Sequence, residues 1–202
     1  LKPIHKPEIL NWTFGGMIGY HGINSAGVGH FANNIGGGPK PQFGMPHYPL
    51  KRLMHECTRI EEVVQLMKKT PVAVNGNYVL CDGNGALLDI ESTTRGPKRI
   101  KEGGAGYLAH TNHYLCDEYA TPANHAQCAD HSFARLKRMN AMIQEKLGSI
   151  TVKDVQGFLA DHANYPTSIC RHQKTIQVGE GVKTTAKTVA SIVAEPAQRR
   201  MH

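Results

Sequence analysis

Residues 103–114 run Gly-Gly-Ala-Gly-Tyr-Leu-Ala-His-Thr-Asn-His-Tyr, placing a glycine-rich approach, a short apolar run and a polar cluster in direct succession. Gly103, Gly104 and Gly106 permit unusual dihedrals or close contacts. Tyr107, Leu108 and Ala109 suit the buried end of a strand, from which His110, Thr111, Asn112 and His113 emerge. Asn112 carries two N–H donors on a short arm, which can be aimed at an oxygen that gains negative charge; that is the chemistry of an oxyanion hole. The competing account makes Asn112 a turn cap and both histidines ordinary loop residues.

Metal chemistry is the first alternative. His110, His113, His125, Cys128 and His131 are all ligand types, and His125-x-x-Cys128-x-x-His131 is the tightest group. A structural zinc site shows paired ligands at both ends, and only His110 and His113 could supply the second pair, so no metal and no cofactor are expected. Cys116 beside His113 could form a nucleophile pair, against the reading of a buried, inert thiol.

The 202 residues are expected to form one domain spanning 1–202. No apolar run is long enough to span a bilayer and no signal-peptide pattern is present, so a soluble, cytoplasmic protein without a membrane partner is expected. The net charge of +7 favours acidic partners. Lysines and arginines are nevertheless scattered, without the aromatic interleaving of a nucleic-acid groove, so no nucleic-acid partner is expected. A homo-oligomer stays open. Five cysteines with no C-x-x-C pair suit reduced thiols rather than a disulfide framework.

These residues need elements to hold them. Residues 1–14 suit an extended lead-in, and the runs 15–21 and 27–34 suit two strands joined by a turn at 22–26. A period of two would put Val28, His30, Ala32 and Asn34 on one face, with Phe31 and Asn33 on the other. A short helix is expected over 50–57, and a second opens with a capping box at Thr58 to Glu61 and ends at Pro71. Gly83-Asn84-Gly85 is the strongest hairpin signal. Residues 130–147 suit a helix with Phe133, Leu136, Met139, Ile143 and Leu147 on one stripe, closed by Gly148. Thr151 caps another helix carrying Val152, Val155, Phe158 and Leu159, and residues 174–193 suit one or two strands. Hairpins rather than β-α-β alternation predict an α+β domain of antiparallel sheets covered by helices.

Several motifs then stand in one order: Gly19-Tyr-His-Gly-Ile-Asn-Ser-Ala-Gly-Val28 with Asn33-Asn34, Asn75-Gly-Asn-Tyr78, His110-Thr-Asn-His113, Ser132-x-x-Arg135, and Asp161-His162 with Ile169-Cys-Arg-His172. The ordered set resembles the acyl-coenzyme A:6-aminopenicillanic acid acyltransferase family, also called isopenicillin N acyltransferase-like, within the N-terminal-nucleophile hydrolases. The resemblance implies a four-layer αββα sandwich made by autoproteolysis, and a small-molecule acyl donor, either an amide or a coenzyme A thioester. It implies an N-terminal cysteine whose own amino group is the base, forming an acyl-enzyme that passes to water or an amine. By the same resemblance Asn112 is the oxyanion donor. Asn34 is a second donor by analogy with bile-salt hydrolases and penicillin V acylases, and Arg135 orients the site with Ser132 beside it. His113, Ser132 and His30 are candidate substrate contacts, His30 standing where an apolar residue is expected.

The family's cysteine and its acidic partner would lie upstream of Leu1, which suits a chain beginning inside a longer gene product. A catalytically silent relative that binds an acylated ligand or partner is the alternative. Residues 1–202 alone are expected to be inactive; steady turnover of an amide or thioester by the purified chain would overturn that expectation.

Overall fold

The computed structural model describes residues 1–100, 106–128, 131–172, 174–179 and 181–202. Gly103, Gly104 and the expected start of a helix at Asp130 lie outside the described residues. The chain divides into two compact units, residues 1–129 with 194–202, and residues 130–193.

The first unit is built on a six-stranded antiparallel sheet in which every strand pairs with its neighbour in sequence. Its strands are β1 Ile9–Trp12, β2 His21–Asn24, β3 Gly29–Asn33, β4 Gly76–Cys81, β5 Leu87–Thr93 and β6 Gly96–Arg99. Antiparallel strands with helices beside them are the α+β class expected from the sequence.

Three expectations are corrected. Residues 9–12 are a strand rather than a lead-in, because residues 13–20 form the connection that lets β1 pair with β2. The following turn lies at 25–28, where Gly27 takes φ 88°. No strand forms at 107–109; the strand beside β5 is β6, which carries Pro97 at an edge position where its missing N–H costs little.

The register gives the sheet two unlike faces. His30, Leu80 and Leu88 align across β3, β4 and β5, as do Ala32, Tyr78 and Ile90. This face packs against α1 His47–Met54 and α2 Ile60–Lys69, enclosing Leu50, Met54, Val63 and Met67. On the opposite face Phe31, Val79 and Asp89 align, as do Asn33, Asn77 and Glu91. One face is an oily core and the other a buried polar layer.

Local chemistry sets the joins. The capping box expected at Thr58–Glu61 does not form: Arg59 is the N-cap without a side-chain cap bond, and Thr58 N–H and Oγ1 both donate to the Glu62 carboxylate. In the β4–β5 hairpin Asp82 Oδ1 accepts from Asn84 and Ala86 N–H, a side chain doing the work of a turn carbonyl. The unit also holds α3 Pro122–His125, the short pair β9 Ala194–Glu195 and β10 Arg200–Met201, and a 3-10 turn at Pro196–Gln198 between them.

The second unit holds α4 His131–Glu145, α5 Val152–Leu159 and the hairpin of β7 Lys174–Gly179 with β8 Val182–Ala186. Thr151 and Asp154 form a complete capping box on α5, as expected. On α4 the burial is rotated from the expected stripe: Ser132 and Met142 are buried, while Phe133 and Leu147 are exposed.

Asn24 is the tightest single joint in the first unit. Its Nδ2 donates to the carbonyls of His55 and Cys57, and its Oδ1 accepts from Ala26 and Val28 N–H. Asn24→Ala strands buried carbonyls at the end of α1 and opens the β2–β3 turn. We expect a loss of about 3 kcal/mol in urea unfolding, with an unchanged m value.

Candidate functional site

The polar face of the sheet and the 110–116 segment build the candidate site. Glu91 and His110 meet at 2.9 Å with both side chains fully buried. His110 Nδ1 lies 2.9 Å from the Thr111 carbonyl and Nε2 lies on the Glu91 carboxylate, and each of those oxygens accepts. Both ring nitrogens therefore donate, which is the geometry of an imidazolium. Burial alone would lower the His110 pKa, but the Glu91 hydrogen bond and the Asp89 charge raise it. Burial likewise pushes the Glu91 carboxyl up, but the His110, Cys116 and Leu115 donors together hold it below its usual range.

Glu91 also receives the backbone N–H groups of Leu115 at 2.5 Å and Cys116 at 3.2 Å. One carboxylate thus grips the segment at residues 110, 115 and 116. Asp89, on the same face, receives a short hydrogen bond from Asn77 Nδ2, and burial raises its carboxyl to about 6. Asn33 Nδ2 bridges Asn77 Oδ1 at 3.4 Å and the His110 carbonyl at 3.3 Å, joining strand and segment.

Asn112 is held from two directions by this scaffold. Its carbonyl accepts from Gly36 N–H at 3.3 Å, and its Nδ2 donates to the Asn34 carbonyl at 2.8 Å. Asn34 itself lies just past the end of β3 and is exposed. The two candidate oxyanion residues are therefore neighbours in space although 78 positions apart in sequence. The glycine loop after Asn34 is shaped to fit: Gly38 takes φ 80°, and a Cβ there would sit 2.2 Å from the Tyr114 hydroxyl. Asn75 clamps the loop by donating to the Gly37 and Pro39 carbonyls at 3.0 and 2.9 Å.

The other candidates lie elsewhere. His113 is buried, with Nδ1 3.2 Å from Thr111 Oγ1 and its ring edge-on to His125. His30 is buried on the helix face, where its Nε2 donates to the Lys51 carbonyl and its ring lies 4.2 Å from that of His55. Burial and the His55 charge hold the His30 pKa well below the usual imidazole value, so it stays a neutral core ring.

Ser132 and Arg135 belong to the second unit. Ser132 is buried in the first turn of α4. Arg135 Nε donates to His131 Nδ1 at 3.3 Å, while Arg171 approaches His131 Nε2 at 3.4 Å. A neutral imidazole accepts at one nitrogen only, so the two arginines compete for it. Burial and the Arg171 charge lower Arg135 to about 10.

The residues of the zinc alternative are committed to other bonds. His110 is paired with Glu91, His125 Nε2 donates to the Tyr114 carbonyl at 3.0 Å, and Cys128 Sγ lies on the His125 carbonyl. Cys116 is no nucleophile at neutral pH either, since burial and the Glu91 carboxylate push its thiol up to about 12.

A cavity of about 430 Å³ opens beside Asn34, lined also by Tyr20, Asn33, His47, Tyr48 and Lys51. Lys51 is only 6% exposed, and its ammonium lies 4.2 Å from the centre of the Tyr20 ring and 5.7 Å from that of Tyr48. No carboxylate pairs with it among the described residues, and burial lowers it to about 8. The aromatic faces partly replace the lost water.

The family profile described as acyl-coenzyme A:6-aminopenicillanic acid acyl-transferase matches residues 9–202. The chain belongs to the acyl-coenzyme A:6-aminopenicillanic acid acyltransferase family. The match covers the candidate residues of the first unit and Ser132 and Arg135 of the second. Among solved structures, a variant of conjugated bile acid hydrolase from Clostridium perfringens is similar at 13% identity and a TM-score of 0.48. That likeness covers 69% of this chain and 58% of the other, so the chain spans less than two thirds of that protein's length. No curated protein matches the sequence. No helix among the described residues is long and apolar enough to cross a membrane.

Sequence reasoning missed Glu91, Asp89, Asn77 as a bonding residue, and Lys51. The signal for the acids was available: two carboxylates two apart in an apolar strand must share one face, and that face then needs donors.

The pair makes stability depend on pH in a defined sense. Glu91, lowered in the fold, adds stability above its usual 4.5 that is lost as pH falls through its folded value. His110, raised in the fold, adds stability in full below its usual 6.5, and that is lost as pH rises through its folded value. Asp89, raised to about 6, acts in the same sense as His110, since stability falls as it ionises. Glu91→Gln should therefore cost most between pH 4.5 and 6.5, about 3–5 kcal/mol, and less at pH 9. Urea unfolding of both proteins across that range checks it.

Proposed function

We propose that this chain carries the greater part of a cysteine-dependent acyltransferase or linear-amide hydrolase. A cysteine preceding this sequence would supply the nucleophile, in a four-layer αββα fold completed by that preceding part. The observation that carries the reading is the fixed carboxamide of Asn112. A primary amide nitrogen has two hydrogens, and placing one on the Asn34 carbonyl sets the direction of the other. A donor held in advance by a buried scaffold is what stabilises a tetrahedral oxyanion, because nothing need reorganise as charge develops. Asn34 supports the reading through its place beside Asn112, and Arg135 would orient the reacting group through its charge. In this reading His113 steadies the 110–116 segment from within, and His30 stiffens the helix face of the sheet.

The substrate is a small acyl donor, an amide or a coenzyme A thioester. The cavity beside Asn34 supports an anionic one, since Lys51 brings a buried cation to its wall and Tyr20 and Tyr48 offer flat apolar faces. An anion entering there would gain a hydrogen-bonded partner in a site of low dielectric.

Intact mass and N-terminal sequencing of the protein from its native source test the first step. A mature chain that begins with cysteine and continues through residues 1–202 is expected. One that lacks any cysteine before Leu1 would leave a silent relative, binding an acylated ligand without cleaving it. In the processed protein Asn112→Ala should lower kcat about 10²–10³-fold. Lys51→Met should raise KM for carboxylated donors while leaving neutral donors unchanged, in steady-state assays of both classes.

A further inference from the structure

The loop after α5 gathers three side chains that the acyl-transfer reading does not use. His162, Cys170 and His172 each present a ligand atom, and these three atoms lie within 4.8 Å of one another. None is spent elsewhere: among the described residues no hydrogen bond or ion pair holds the His162 ring, the Cys170 thiol or the His172 ring. His172 Nε2 is in fact buried without any partner. A buried imidazole nitrogen with nothing to bond is costly unless something arrives to meet it.

The loop is shaped by other groups, so the cluster does not depend on itself. Asp161 receives Arg138 through two hydrogen bonds at 2.7 and 3.0 Å, and its backbone carbonyl accepts from Cys170 N–H at 2.9 Å. Tyr165 N–H donates to the His162 carbonyl, Asn164 reverses the chain at φ 67°, and His172 N–H donates to the Pro166 carbonyl. The buried Ser168 Oγ donates to the Cys170 carbonyl. These bonds bring residue 162 back against residues 170 and 172. Alternation along 170–172 then separates the roles: Arg171 reaches His131, while Cys170 and His172 share the other side.

We propose that His162, Cys170 and His172 form a zinc site with three protein ligands and one position open to water. One thiolate with two imidazoles is a donor set that zinc prefers, and hard oxygen-seeking cations do not. Tetrahedral zinc holds its ligand atoms about 3.5 Å apart, so small rotations of the exposed His162 and of Cys170 close the cluster. On binding, the Cys170 thiol gives up its proton to solvent, two imidazole lone pairs complete the protein's share, and the loop becomes cross-linked at its base.

The test is zinc titration of the full chain against a competing chelator, with cobalt(II) as a spectroscopic stand-in. One zinc per chain is expected, and the cobalt form should show a thiolate-to-metal charge-transfer band that Cys170→Ser abolishes. His162→Gln removes an exposed ligand and leaves the core intact, and should weaken zinc binding at least about 10-fold. A His162→Gln protein that binds zinc as tightly as the parent overturns the proposal. So does a cobalt spectrum without the thiolate band, or an absence of binding above that of His162→Gln/Cys170→Ser/His172→Gln.

Discussion

Glu91 is a carboxylate with no solvent around it, held ionised by one imidazolium and two backbone N–H groups. Coulomb attraction alone seldom repays the removal of two charges from water, and such a pair persists where further hydrogen bonds satisfy its remaining valences. Here they do, and the further bonds are the ones that matter to the site. Because Glu91 holds His110 at one end and Leu115 and Cys116 at the other, the intervening residues form a loop fixed at both feet. Asn112 sits between those feet. Its carboxamide is aimed at the Asn34 carbonyl while Glu91 holds the loop that carries it.

That arrangement explains why the sheet has one polar face. The helix side follows the ordinary rule, with Tyr78, Leu80, Leu88 and Ile90 closing on α1 and α2. The other side carries Asn33, Asn77, Asp89 and Glu91, each matched to a donor or acceptor. Fully satisfied polar layers are rigid because every displacement breaks several bonds at once. Rigidity on that side fixes the 110–116 segment, and Asn112 with it.

Much of this was legible in the amino-acid order, and the boundary is physical. The Gly83–Gly85 hairpin, the Thr151 cap and the end of α2 at Pro71 are local signals that the structure repeats. Asn112 and Asn34 stood out through motifs, and they do meet. What stayed hidden depended on partners distant in sequence. β6 lacks a hydrophobic pattern and exists because β5 offers it an edge. Tyr107 to Ala109 have strand propensity, yet they join no strand pair among the described residues. Glu91 went unnoticed, since only the fold brings His110 over it. The stripe on α4 was misplaced for the same reason, as burial follows the packing surface rather than the largest apolar residues.

The strict neighbour-to-neighbour order of the six-stranded sheet has a kinetic consequence. A meander closes mostly short loops, so each hairpin can zip as its second strand becomes available during synthesis. The exception is the span between β3 and β4, which carries both α1 and α2. That single long closure carries the helices with it, and Asn24 spans it by gripping the end of α1 from the β2–β3 turn. The 110–116 segment follows β6 in the chain and so meets a sheet whose carboxylates, on β5, precede it. The scaffold therefore comes first in the chain, and the segment that carries Asn112 is mounted on it afterwards.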